Sequence, residues 1–154
     1  MSIKKKYLSF LEGIDGISLP EDEKIQYILD FLRKEFPKYS WVGIYVLKGD
    51  KLELLSFSGD KETEHKVIPI DKGLCGMAVR ENRIVNVYDV SNNPTYLQCF
   101  PETKSELVVP IYKDGKIIGE IDIDSYQLGA FDKNDEWFIL KLGEKIADLI
   151  YKKI

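Results

Sequence analysis

Residues 118–126, IGEIDIDSY, alternate apolar and acidic side chains with a period of two, a pattern that suits an extended strand and not an amphipathic helix. As a strand, the segment places Glu120, Asp122 and Asp124 on one face and Ile121 and Ile123 on the other. Acids two residues apart on a strand stand roughly 7 Å apart, close enough to repel unless water, a cation or a shared proton lies between them. On an open face, solvent is enough. On the wall of a pocket, low dielectric raises carboxyl pKa values and favours a cationic ligand, so the row becomes a binding feature or an acid.

The surrounding sequence supplies a sheet for this strand. ELVVPIYKDGKIIGEIDIDSY reads as a hairpin over Asp114 and Gly115, and WVGIYVLKGDKLELLSFSG as a second one over Gly49 and Asp50. HKVIPI and IVNVYDV are further short strands. Helical patterns flank the strands: residues 3–12 form a short helix, and Ser18 followed by Glu21 is a capping box opening a second helix that runs to about Glu35. Its apolar stripe is Ile25, Ile28, Leu29, Leu32 and Phe36, and Pro37 stops it. KGLCGMAVREN begins a short helix with glycines and small residues. Asp132 caps a last helix carrying Ile139, Leu142, Ile146, Leu149 and Ile150. The order predicts an α+β fold, a central antiparallel sheet with N- and C-terminal helices packed on one face. With no linker or repeat, the 154 residues suit one domain over residues 1–154, with 1–19 as an N-terminal extension and helix.

Charge and composition narrow the function classes. A net charge of −4 without a basic stripe gives no support to nucleic-acid binding. KKK at residues 4–6 precedes an amphipathic segment, and no run approaches the roughly 20 apolar residues of a membrane span. The expectation is a soluble, cytoplasmic protein. Two cysteines, Cys75 and Cys99, are too few for a disulfide scaffold, and one histidine, His65, limits any Cys/His zinc site to three ligands. Neither metal nor cofactor is expected.

Several residues carry chemistry in one reading and packing in another. Cys75, in GLCG at a helix start, is either a small buried thiol or a thiolate favoured by unpaired N–H groups and the helix dipole. Cys99 lies in SNNPTYLQCFPETK, residues 91–104, a polar loop whose Tyr96, Leu97, Cys99 and Phe100 exceed what a mere connection needs. Whether the two cysteines form a redox pair depends on a distance that spacing does not reveal. Trp41, Gly43 and Tyr45 share one strand face, as core packing or as the walls of a small-ligand pocket. Glu106 alone reads as a solvated strand residue. His65 most simply sits at a strand edge in water, and Asp132 and Asp135 are explained by helix capping.

Together, Trp41-x-Gly43-x-Tyr45, GLCGMAV, Cys99, SELVVPI, DGKIIGEIDIDS and the terminal helix resemble, over about residues 20–150, the GAF-domain free methionine-(R)-sulfoxide reductases. The GLCG turn and DGKIIG hairpin recur across GAF domains. The specific signal is Cys99 followed by Glu106, Asp122 and Asp124, with Trp41 and Tyr45 ahead of them. The resemblance implies reduction of free L-methionine (R)-sulfoxide to methionine, with Cys99 as the attacking thiolate and thioredoxin or a similar dithiol as electron donor. Glu106, Asp122 and Asp124 match pocket carboxylates that protonate the sulfoxide oxygen and hold the substrate ammonium, and Trp41 and Tyr45 would receive its methyl group and side chain. Many members carry a third, resolving cysteine where this chain has His65, and NNPTYLQC replaces a Gly-His-rich approach to Cys99. Resolution therefore falls to Cys75 or to an external thiol. By analogy, a homodimer forms through terminal helices. The alternative is a non-catalytic GAF module sensing a small molecule or redox state.

Overall fold

The computed structural model describes residues 2–154. Six strands form one antiparallel sheet: β1 (Trp41–Lys48), β2 (Lys51–Ser58), β3 (Val67–Pro69), β4 (Val85–Val87), β5 (Ser105–Lys113) and β6 (Lys116–Ser125), in the order β3-β2-β1-β6-β5-β4. The helices are α1 (Ile3–Asp15), α2 (Glu21–Glu35), α3 (Gly73–Glu81) and α4 (Lys133–Tyr151). The acidic segment is thus β6, near the middle of the sheet and paired on both sides.

Alternation along the strands divides the molecule into two layers. Val42 and Ile44 of β1, Leu107 and Val109 of β5, and Ile121 and Ile123 of β6 face a core closed by Tyr7 and Phe10 of α1, Ile28 and Leu32 of α2, and Phe138, Ile139, Leu142 and Ile146 of α4. The terminal helices therefore cover one face, as the pattern predicts. On the other face α3 and the 88–104 segment pack over Trp41, Tyr45 and Val108. Both hairpins form where expected. Asp114 and Gly115 take φ of 52° and 77°, the two left-handed residues of a type I′ turn, whose twist matches that of β5 and β6.

Three local expectations change. Ser18 does not cap α2: the helix starts after Pro20, which makes no side-chain cap bond. A box from Ser18 to Glu21 would require Leu19, the residue before a proline, to be helical, which the proline ring disfavours. Glu21, Asp22 and Glu23 serve the helix start by charge instead. The first helix continues past residue 12 to Asp15 and ends at Gly16. Leu149 lies at the flank of the α4 stripe and is only partly buried.

Asp135 does more than cap. Asp132 and Asp135 form a capping box at the start of α4, and Asp135 also accepts hydrogen bonds from Tyr7 (2.6 Å), Tyr39 (2.5 Å) and Lys38 (2.8 Å). One buried carboxylate so joins α1, the entry to β1 and α4. Burial opposes its charge, but these donors outweigh burial and hold the carboxyl below its ordinary value. A depressed carboxyl stabilises the fold above its unfolded pKa near 4 and loses that contribution as pH falls through the lower folded value. Asp135→Asn is expected to cost on the order of 3 kcal/mol at pH 7, with a smaller deficit at pH 2–3, measured by chemical denaturation at both pH values.

Candidate active site

The inward face of the α3 layer is built from three cross-strand rows. Trp41 lies opposite Asp124, which lies opposite Glu106; Gly43, Asp122 and Val108 form the next row, and Tyr45, Glu120 and Pro110 the third. A residue directly opposite another on an antiparallel sheet points to the same side. Period-two geometry therefore brings four acids onto one patch: Glu106 (6% exposed), Glu120 (0%), Asp122 (3%) and Asp124 (2%). Gly43 leaves the space above itself for the Trp41 indole, since a Cβ there would collide with the ring. The indole also stacks on Phe57, at a centroid distance of 5.9 Å.

Both sulfur atoms reach this patch from above. Cys75 stands in the first turn of α3, and Cys99 comes from the 91–104 loop. A cavity of about 10 Å³ is lined by Cys75, Cys99, Glu106 and Asp122, with Leu97 and Ile68 among its apolar walls. Cys75 Sγ and one carboxylate oxygen each of Glu106 and Asp122 lie within 4.8 Å of one another. Both thiols are free. Trp41, Tyr45 and Asp124 lie outside the lining of this small cavity: the Tyr45 hydroxyl donates to the His65 carbonyl (2.8 Å), and Asp124 Oδ2 accepts from Thr103 Oγ1 (3.4 Å).

The roof is the 91–104 loop resting on residues 59–66. Lys61 pairs with Glu102 at 2.7 Å, His65 Nε2 bonds the Gln98 carbonyl at 3.0 Å, and within the loop the Cys99 thiol donates to the Leu97 carbonyl at 3.9 Å. Phe100 is buried against Trp41, with ring centroids 5.7 Å apart. His65 is accordingly half-buried and engaged with the loop that carries Cys99, not free at a strand edge. The clamping role of these residues was not legible in the sequence, because the two loops meet only in the fold.

Comparison with known proteins follows this architecture. The GAF domain family profile matches residues 18–150. The free methionine-R-sulfoxide reductase of Escherichia coli is 34% identical over 118 residues, covering 74% of this chain and 70% of that protein. The chain belongs to the GAF domain family, in the group of free methionine-R-sulfoxide reductases. The solved type II free methionine-R-sulfoxide reductase of Thermoplasma acidophilum matches this GAF domain with a TM-score of 0.83 and 45% identity, over 86% of this chain and 93% of that one. The Neisseria meningitidis free methionine-R-sulfoxide reductase, solved in complex with its substrate, matches with a TM-score of 0.87 and 28% identity, over 98% and 92%. No helix among the described residues of this GAF domain is long and apolar enough to cross a membrane.

Electrostatics set the GAF domain's acid patch apart from a solvated strand face. Burial, then repulsion by Asp122 and Asp124, pushes Glu106 well up, so it is neither solvated nor ionised as a lone glutamate would be. Burial likewise raises Glu120 and Asp124. Asp122 is raised by burial too, but the neighbouring Glu106 and Cys75 act against the rise. Of the four, Asp122 is the one best placed to carry charge.

The thiols answer to the same field. The start of α3 does not favour a thiolate at Cys75: burial, then Asp122, Glu120 and Glu106, pushes that thiol well up. Within a turn of the helix end the dipole is worth about 1 kcal/mol, too little against a buried anionic patch. Cys99 is pushed up to about 12, by burial first and then by Asp122 and Asp124, with the Thr63 side chain pulling the other way.

Glu120 was in the alternation yet absent from the candidate site residues, and it is the most enclosed acid of the row. Both of its oxygens lack a hydrogen-bond partner among the described residues. A carboxyl with a raised folded pKa loses stability as pH climbs from its unfolded value near 4 toward the folded one. Glu120→Gln should therefore stabilise the protein at pH 8 by on the order of 1–2 kcal/mol. The gap should close toward pH 4 in urea titrations at the two pH values.

Proposed function

We propose that this protein reduces free L-methionine (R)-sulfoxide to L-methionine, with Cys99 as the attacking sulfur. The observation that carries the reading is one cavity shared by Cys99, a second thiol, Glu106 and Asp122, in which burial pushes the Glu106 carboxyl well up. The reductase relatives, one of them solved with its substrate, support the same substrate class.

The cavity has room for about one water, so the 91–104 loop must lift for an amino acid to enter. The Lys61–Glu102 pair is half exposed and resists opening by less than about 1 kcal/mol. The substrate ammonium then meets the ionised Asp122 with Asp124 nearby, and its positive charge offsets the repulsion that keeps Cys99 protonated. A free amino acid thus activates the thiol that attacks it. The side chain and methyl group settle against the Trp41 and Tyr45 rings, which apolar packing suits.

Reduction needs a proton because oxide is a poor leaving group. Glu106, neutral by burial, donates to the sulfoxide oxygen as the Cys99 sulfur bonds to the substrate sulfur. Oxygen passes to Cys99, methionine leaves, and Cys99 becomes a sulfenic acid. Attack by Cys75, or by an external thiol, expels that oxygen as water and forms a disulfide, which thioredoxin or a similar dithiol reduces. Cys75 and Cys99 line the same cavity, which favours internal resolution. A cytoplasmic setting would keep both thiols reduced between turnovers, and a homodimer through the terminal helices fits the exposed Ile3, Leu8 and Tyr151.

A sensor would draw on the same cavity without turnover. Incubation with racemic free methionine sulfoxide and dithiothreitol, with each diastereomer followed by chromatography, separates the two. The (R) form alone should disappear. Cys99→Ser should lower the rate at least 1,000-fold, and Cys75→Ser should act mainly on recycling by thioredoxin; no consumption by folded protein, or full activity without Cys99, would falsify the assignment.

A further inference from the structure

None of Glu106, Glu120, Asp122 and Asp124 forms an ion pair among the described residues, whose ion pairs all lie elsewhere. A buried patch of this kind holds protons or takes a cation. We propose that Cys75, Glu106 and Asp122 form a binding site for a thiophilic divalent cation, Zn²⁺ foremost, that blocks the pocket while it is bound. Counting only cysteines and histidines, as the sequence invites, misses this set because two of its three ligands are carboxylates.

The geometry is compact. With all three ligand atoms within 4.8 Å of one another, a central ion lies no more than about 2.8 Å from each. That is within about 0.8 Å of ordinary zinc–sulfur and zinc–oxygen distances. Side-chain rotation closes such a gap without moving β5, β6 or α3. The adjoining cavity of about 10 Å³ fits one water, completing four-coordination.

A second observation, the unmet hydrogen-bonding capacity of the buried acids, also points to a ligand. Asp122 Oδ1 is buried and unpartnered, on a side chain 3% exposed, in the wall of that cavity. Both oxygens of Glu120, two residues along the same strand face, are unpartnered among the described residues as well. A sulfur ligand and only two carboxylates disfavour Mg²⁺ and Ca²⁺, which demand six or more oxygens, and suit Zn²⁺ or Co²⁺. Binding displaces the Cys75 thiol proton and the proton held by Glu106, and no electron moves.

Blockade of turnover rests on the proposed reductase reading; binding does not. The reduced, full-length protein, cleared of metal with a chelator, is titrated with Co²⁺, and the sulfur-to-cobalt charge-transfer absorption is followed in the near ultraviolet. Saturation at one equivalent is expected, with Zn²⁺ abolishing the band. Cys75→Ala should remove the band, Glu106→Gln and Asp122→Asn should each weaken binding at least tenfold, and Cys99→Ser should retain it. Thermal unfolding checks each variant, and the two carboxyl variants decide the matter if Cys75→Ala does not fold. Binding only at millimolar metal, an adventitious ion only, overturns the proposal, as does a band that survives Cys75→Ala and vanishes in Cys99→Ser. If the band forms in a protein that consumes no sulfoxide, the reductase reading fails and the site stands. If turnover is normal and unaffected by Zn²⁺ and no band forms, the site alone fails.

Discussion

Four carboxyls buried on one face of a sheet, none of them ion-paired among the described residues, are the constraint around which the molecule is organised. Their ionisation would place several negative charges within a few ångströms in a low dielectric, so burial pushes the pKa values of Glu106, Glu120 and Asp124 well up. Such a patch costs stability, and the opposite face of the sheet supplies it. There Ile121 and Ile123, between Val42 and Ile44 on β1 and Leu107 and Val109 on β5, anchor the acidic strand into the core under α1, α2 and α4. The same strand is a hydrophobic staple on one side and an acid reservoir on the other.

Two buried aspartates show that environment, not residue type, decides the charge. Asp135 is as enclosed as Asp122, yet it receives two tyrosine hydroxyls, a lysine and a backbone N–H, and its pKa falls. Asp122 has only Glu106 and a thiol nearby, and its pKa rises. The first arrangement holds three elements together and is spent on structure. The second leaves hydrogen-bonding capacity unused, and unused buried capacity is what a ligand can claim.

The roof connects these electrostatics to motion. Cys99 is protonated while the 91–104 loop is closed, because the loop buries it beside Asp122 and Asp124. Its tethers to residues 59–66 are few and partly exposed, whereas Phe100 is seated firmly on Trp41. In the proposed reaction this makes a resting enzyme with an inert thiol, activated by the charge of the substrate it admits.

The fold was readily legible. Period-two alternation in residues 118–126, the Asp114–Gly115 turn and the stripes of α2 and α4 each depend on neighbours a few residues apart, and they led to the antiparallel sheet with the terminal helices on one side. The failed capping box at Ser18 has a local cause too, Pro20, which the motif alone did not weigh. The candidate site was legible only as a set of residue types joined by resemblance. Glu106 read alone as solvated, and burial reversed that; Cys75 read either as a small buried thiol or as a thiolate helped by its helix, and burial decided for the first.

What the sequence by itself determined is the direction in which each strand side chain points, because that follows from backbone geometry and needs no partner. Only the tertiary structure decided which acids are buried together, which keep their protons, and that two thiols far apart in the chain share one cavity with them. Desolvation and Coulomb repulsion depend on distance in space and on the exclusion of water, and neither quantity exists until the loops and α3 have packed over the sheet.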